Sequence, residues 1–262
     1  MSFDQLSVVA ELRKTKNSFA LWFTILAAGF VPAFVLLIYR KRWSYMIPPK
    51  GMNPWDLLFQ GAWKANSFML TLFFTVLIAS LLLNIEHKNN TWKVLFTLPV
   101  SKGRIYLDKL CVLLMFLSAY YVLFVVFTLG AGLILGLIWP QLKFLELAPD
   151  LPHLGLLLIR SFLSSLAVLA IHFWLSFRVR NMIIPIGLAC ILFVVFFSLL
   201  QSRWEWVIYF PYSFNYISIV KVDFAKDVQY GPFLKHELIS VVYFVVVSFA
   251  SFWDFTRWYK AK

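Results

Sequence analysis

Charge is what this sequence has little of. Only 14% of its 262 residues are Asp, Glu, Lys or Arg, where a soluble domain carries about 25%. With 61% of the residues hydrophobic, there is too little polar surface to cover a water-soluble globule, and too much apolar content for a disordered chain. Acidic residues are scarcest, 12 against 24 basic ones, and the long apolar runs hold almost none. That speaks against ion transport through intramembrane carboxylates. The two cysteines, Cys111 and Cys190, sit inside apolar runs, so a disulfide scaffold is excluded. No G-x-x-x-x-G-K-[ST] phosphate loop, H-E-x-x-H or G-x-S-x-G occurs. His87, His153, His172 and His236 are too scattered to suggest a metal pair.

What is present is long hydrophobic runs, and these predict an all-α integral membrane protein built as a single transmembrane domain over 1–262. About 20 apolar residues cross a bilayer core. Six runs qualify, at about 18–39, 67–85, 110–138, 154–176, 182–200 and 238–256. Pro32 predicts a kink in the first. The third exceeds the requirement, so it tilts or protrudes, and its Gly130, Gly132 and Gly136 predict close packing. A seventh run, Trp206 to Val220, is short and broken by Pro211, and it carries Tyr209, Tyr212, Asn215 and Tyr216. It reads as a short outer re-entrant element within the 201–237 loop. Residues 3–16 place Phe3, Leu6, Val9, Ala10 and Arg13 at helical spacing. They predict a short interfacial helix over 1–17. The polar stretch before the first run, and the length of that run, argue against a cleaved signal.

With six spans both termini share a side. Positive charge favours the cytoplasm for that side, since 86–109 carries Lys88, Lys93, Lys102, Arg104 and Lys109 while 139–153 carries Lys143 alone. Arg40-Lys41-Arg42 pulls the other way for the first helix. The net charge of +12 is what Lys and Arg facing anionic headgroups produce, and it calls for no nucleic acid.

Few ionisable residues lie within the spans. Arg160, about one and a half turns into the fourth, either snorkels to the outer headgroups or marks a pathway. His172, near the other end of that helix, reads as a packing residue. The informative segment is 84–109, NIEHKNNTWKVLFTLPVSKGRIYLDK. Trp92, Leu95, Phe96 and Pro99 recur at i, i+3, i+4 and i+7, one apolar face, with Lys93 and Thr97 opposite. A short amphipathic helix joining two spans either docks a soluble partner or merely anchors in lipid.

That segment resembles the membrane subunit of ABC-2 type transporters, most closely the permeases of lantibiotic and bacitracin immunity. Those carry an E-x-x-K helix before the first span, which Glu11 and Lys14 match. They also carry a pattern like E-x-x-x-G-T-W-x-x-L-x-x-x-P-[VI]-S-[RK], then a lysine opening the third span. Glu86, Thr91, Trp92, Lys93, Leu95, Leu98, Pro99, Val100, Ser101, Lys102 and Lys109 resemble it. Asn90 stands where the family commonly has glycine.

The resemblance implies that 88–103 is a coupling helix docking on a separate ABC-type ATPase. Glu86, Thr91, Trp92, Lys93, Leu95, Phe96, Pro99, Ser101 and Lys102 would carry the docking, and Glu11, Lys14 and Lys109 the hinge or gate. It implies a second permease subunit, the same chain or a homologous one, and ATP with Mg bound on the partner rather than on this chain. The setting would be a bacterial cytoplasmic membrane. The expected activity is export of a hydrophobic or amphipathic substrate, such as a peptide antibiotic or a lipid. A non-transporting immunity or scaffold protein and an intramembrane lipid-modifying enzyme stay open as alternatives.

Overall fold

The computed structural model describes residues 3–16, 18–88, 92, 97, 99–225 and 227–257. Helix α1 (Phe3–Thr15) precedes α2 (Phe19–Arg42). Next come α3 (Pro54–Ala65) and α4 (Thr71–Lys88), then α5 (Lys102–Ile138), α6 (Leu151–Arg178) and α7 (Ile183–Gln201). After the one-turn α8 (Phe214–Ile217), a two-residue hairpin pairs β1 (Gln229–Tyr230) with β2 (Phe233–Leu234) and leads into α9 (Lys235–Arg257). Among the described residues, six helical stretches are long and apolar enough to cross a membrane. They alternate in direction, so the bundle has a near end, where α1 lies, and a far end.

The second span differs from its sequence reading, which begins it at 67 and leaves 54–66 in an outer loop. In the structure Pro54–Lys88 is one 35-residue helical stretch, about 50 Å long at 1.5 Å per residue. Asn53 caps it, its side chain accepting from the Trp55 amide at 3.0 Å, with Pro54 in the first turn where its missing N–H costs nothing. Trp55, Leu58, Phe59, Ala62 and Trp63 form one buried stripe on α3. Asp56, Gln60 and Lys64 interrupt the apolar run in sequence while lying off that stripe. A π turn at Asn66–Leu70 joins α3 to α4, and the buried Asn66 accepts a hydrogen bond from the Tyr120 hydroxyl at 2.6 Å.

The other spans keep their expected positions, and α2 runs unbroken through Pro32. α5 extends from Lys102 to Ile138, longer at its near end than the apolar run alone. It packs on α2, while α6 packs on both α4 and α9. α7 lies at the edge, with little of its surface buried. The α6–α9 contact is close because small hydroxyl residues line it. Ser240 Oγ donates to the Leu163 carbonyl at 2.7 Å and accepts from the Ala167 amide at 3.1 Å.

The re-entrant reading of 206–220 corresponds to short 3-10 turns at Glu205–Tyr209 and Pro211–Ser213, followed by α8. Irregular backbone at membrane depth is stable only when buried in protein. Here Asn215 accepts from the hydroxyls of Ser165 at 2.9 Å and Tyr121 at 3.3 Å, both in mid-helix. The Tyr212 hydroxyl meets His172 Nε2 at 2.9 Å, and burial raises the Tyr212 pKa. At the far end, the Trp55 indole donates to the carbonyls of Phe144 and Leu147 at 3.0 and 2.9 Å, tying the loop after α5 to α3.

Of the three glycines in the far half of α5, Gly132 packs under the Trp55 ring, where an added Cβ would meet it at 2.4 Å. Gly136 is similarly close to Phe144 and Leu145, while Gly130 has open space. Gly132→Val is therefore expected to destabilise the purified protein by about 1–3 kcal/mol through overpacking, seen as a lower thermal midpoint. Gly130→Ala should leave that midpoint unchanged or raise it slightly. Equal midpoints for the two variants would contradict the packing described.

Candidate functional site

At the near end, α1, α4 and α5 each contribute charge to one cluster. Helical spacing puts Glu11 and Lys14 on one face of α1, and their side chains pair at 2.8 Å. Glu86, on the last turn of α4, and Lys109, two turns into α5, pair at 2.8 Å with side chains only 2% and 6% exposed. The cross-links complete a ring: Lys14 reaches Glu86 at 3.2 Å and Lys109 reaches Glu11 at 3.1 Å. A small cavity lies beside the ring, also touched by Leu83, Leu113 and Phe173.

Two carboxylates against two ammonium groups leave the cluster formally neutral. Removing one member of such a buried pair costs far more than the pair itself contributes, because the remaining charge is stranded. Burial pulls the Lys14 pKa down, but its hydrogen bonds and charge contacts with Glu11 and Glu86 outweigh this and hold it above the usual lysine value. Its contribution is thus complete at neutral pH and is lost only as pH rises through that elevated pKa.

Trp92 sits directly beside the ring. Its indole N–H donates to His87 Nδ1 at 3.2 Å, which places the His87 proton on Nε2, facing the Ser176 carbonyl at 2.9 Å. The Lys109 ammonium stands 5.4 Å from the centre of the indole ring, a cation–π distance. Phe177 and Phe255 pack against the same ring. The sequence reading placed Trp92 on an outward docking face. The structure corrects that placement: Trp92 is buried, 4% exposed, and fastens its segment to α6 and α9.

Thr91, Lys93, Leu95 and Phe96 lie outside the described residues, as do Asn89, Asn90, Val94 and Leu98, so most of the expected 88–103 coupling helix is not described. Its two ends are. α4 runs to Lys88, and Ser101 caps α5 by accepting from the Arg104 amide at 3.3 Å, with Lys102 the first helical residue. Pro99 and Val100 are exposed just before that cap.

Arg160 is far from this cluster and differs from its expectation. Instead of reaching a headgroup, its guanidinium turns inward, Nε donating to Glu237 at 2.8 Å and Nη2 to the Ser218 carbonyl at 3.2 Å. Glu237 is fully buried and also accepts from Ser218 Oγ and the Leu234 amide, each at 2.9 Å. Beside it His236 meets Asp227 at 2.5 Å. Sequence reasoning missed Glu237 because the last apolar run begins at 238, which put the carboxylate in a loop. The available signal was its position six residues after the Gly231-Pro232 turn, in the first turn of α9. At the near end Arg178 and the Trp174 indole both bond Asp254, joining α6 to α9.

Glu86→Gln should lower the stability of the purified protein by about 3 kcal/mol, because it leaves Lys14 and Lys109 to share Glu11 alone, with one positive charge in excess. Glu11→Gln, at the more exposed side of the ring, should cost less. Glu86→Gln combined with Lys109→Met should recover much of the loss. Thermal midpoints of these variants, of Lys109→Met alone and of the unaltered protein check this, and a loss in the double variant equal to the sum of its two singles would rule out direct pairing.

Comparison with known families follows the same geometry. Residues 7–196, well over half the chain, match a family described as ABC-2 family transporter protein. The matched region spans α1 through most of α7, and so includes every member of the ionic ring and Trp92. No curated protein matches the chain. The finer grouping with antibiotic-immunity permeases is thus not part of the match, which establishes the broader family alone. Six membrane-crossing helices and that match together make this chain a membrane protein of the ABC-2 transporter family.

Proposed function

We propose that this permease is the membrane half of an exporter, driven by a separate ATPase chain that docks on the 88–103 segment. The observation that carries the reading is the attachment of that segment. It leaves α4 at Lys88 and enters α5 at Lys102, and between them Trp92 is buried against α6, α9 and Lys109. A force applied to such a segment reaches four helices at once and acts directly beside the Glu11–Lys14–Glu86–Lys109 ring. Ion pairs between rigid helices have discrete arrangements, so the ring suits a hinge that re-pairs as α4 and α5 move. ATP and Mg would be held by the partner chain.

In this reading Trp92 is an internal anchor, and docking falls to its neighbours Thr91, Lys93, Leu95 and Phe96, with Pro99, Ser101 and Lys102 at the exit. A second permease subunit would complete the pathway. The basic side faces the cytoplasm of a bacterial cell, with both termini there. The substrate class that fits an apolar, aromatic-rich bundle is a hydrophobic or amphipathic molecule, such as a peptide antibiotic or a lipid.

The test is co-purification of the intact complex from its host in mild detergent, with ATPase activity measured on it. Lys93→Glu with Lys102→Glu should lower permease-stimulated ATP hydrolysis by about tenfold, the effect of losing roughly 1.4 kcal/mol at the docking face. Trp92→Ala should uncouple hydrolysis from transport while the two chains stay associated. A permease that purifies alone, or charge reversal that changes nothing, would sink the docking assignment.

A further inference from the structure

On the face of α1 turned away from the ionic ring there is an apolar groove of about 630 Å³, bounded by α1, α2 and α5. Leu12, Leu21, Ile25, Phe116 and Leu123 line it. Its two threonine hydroxyls are already satisfied by their own helices, Thr15 by the Leu12 carbonyl and Thr24 by the Ala20 carbonyl. The walls therefore offer an occupant no hydrogen bonds, only apolar contact. At the rim the chemistry changes: Arg13 and Lys16 stand there, both exposed. Among the described residues neither lies within ion-pair distance of a carboxylate, although α1 also carries Glu11.

The groove lies between two helices whose outward faces are apolar, with Trp22 and Leu26 of α2 and Met115 and Val122 of α5 all exposed. In a membrane-crossing bundle those faces meet lipid. The rim lies toward the near end, where α1 leads into α2 and packs on α5 two turns and more from its start, on the headgroup side of the groove. Arg13 and Lys16 follow each other at i, i+3, so their charges act on one point above the groove. An occupant must therefore be long and apolar, and anionic at the end beneath α1.

We propose that this groove binds an anionic phospholipid of the near leaflet, with an acyl chain between α2 and α5 and its phosphate held by Arg13 and Lys16. The site has a consequence for the hinge. α1 presents Glu11 and Lys14 to the ring on one face and the lipid-facing residues Val9, Arg13 and Lys16 on the opposite one. Bound lipid presses α1 onto α5 and so favours the closed ring, while an empty groove leaves α1 held by the ion pairs and the packing of Val8 and Leu12. Membrane composition would then bias the α1 position without touching the pathway.

The proposal is tested on the purified full-length chain, and no ATPase is needed, so its failure leaves the transport reading standing. The protein is equilibrated with mixed vesicles of phosphatidylglycerol and phosphatidylcholine bearing the same acyl chains. Lipid retained after re-extraction is counted by native mass spectrometry. The unaltered protein should retain phosphatidylglycerol by about tenfold or more over phosphatidylcholine, in line with two interfacial cations acting on one phosphate. Arg13→Gln with Lys16→Gln should abolish the preference. Ala119→Trp, which fills the groove and keeps both cations, should abolish retention. A photo-crosslinking residue at Met115 in the otherwise unaltered chain should capture lipid, which gives a reading even where a variant fails to fold. Equal retention of the two lipids, a preference that survives loss of both cations, or capture of a second copy of this chain at Met115 would each overturn the proposal.

Discussion

The Glu86–Lys109 ion pair constrains everything at the near end of the bundle. Both side chains are nearly inaccessible, and in such a setting neither charge is tolerable without the other. α4 and α5 must therefore meet in one register, two turns above where α5 begins. Once they do, the carboxylate and the ammonium each have capacity to spare, and α1 supplies Lys14 and Glu11 to fill it. A short N-terminal helix with a modest apolar stripe is thereby fixed by charge more than by burial. Trp92 then closes the cluster from the side, with Lys109 over its ring.

The rest of the bundle follows a different rule. Between the ends, where lipid offers no hydrogen bonds, several polar groups are satisfied by one another. Trp63 donates to Ser161, Tyr120 to Asn66, and Tyr121 shares a hydrogen bond with Ser165. Asn215, brought in by the irregular segment before α9, accepts from the same Tyr121 and Ser165. That seam explains how one-turn pieces survive at membrane depth, since their side chains complete a network the long helices leave open. Arg160 and Glu237 belong to the same logic, an inward charge neutralised where it lies.

These two regions give the chain a graded stiffness. The far end is locked by packing, with Trp55 over Gly132 and hydrogen-bonded to the loop after α5. The near end joins an aromatic cluster, Tyr106, Phe173, Phe177 and Phe255 beside Trp92, to ion pairs, and the ion pairs can exchange partners without opening a cavity. A machine driven from the 88–103 side would be expected to move where its contacts can exchange and to stay rigid where they cannot. That is a physical reason to place the hinge at the ring.

The sequence by itself determined the class of molecule and the number of spans. Apolar length and charge scarcity are properties of the chain alone, and a bilayer reads them directly. It also marked Glu11, Lys14, Glu86 and Lys109 as functional candidates by their resemblance to a family pattern. It gave no means of seeing that these four meet. Their separations of up to 98 residues are closed by helix packing, which no local periodicity encodes. The same holds for α3, whose buried stripe is visible only once α5 lies beside it, and for Trp92. Trp92 is apolar in any reading, but whether such a side chain turns toward a partner or into its own bundle depends on what stands next to it. Here Phe177, Phe255 and Lys109 stand there, and the tertiary structure alone decided that.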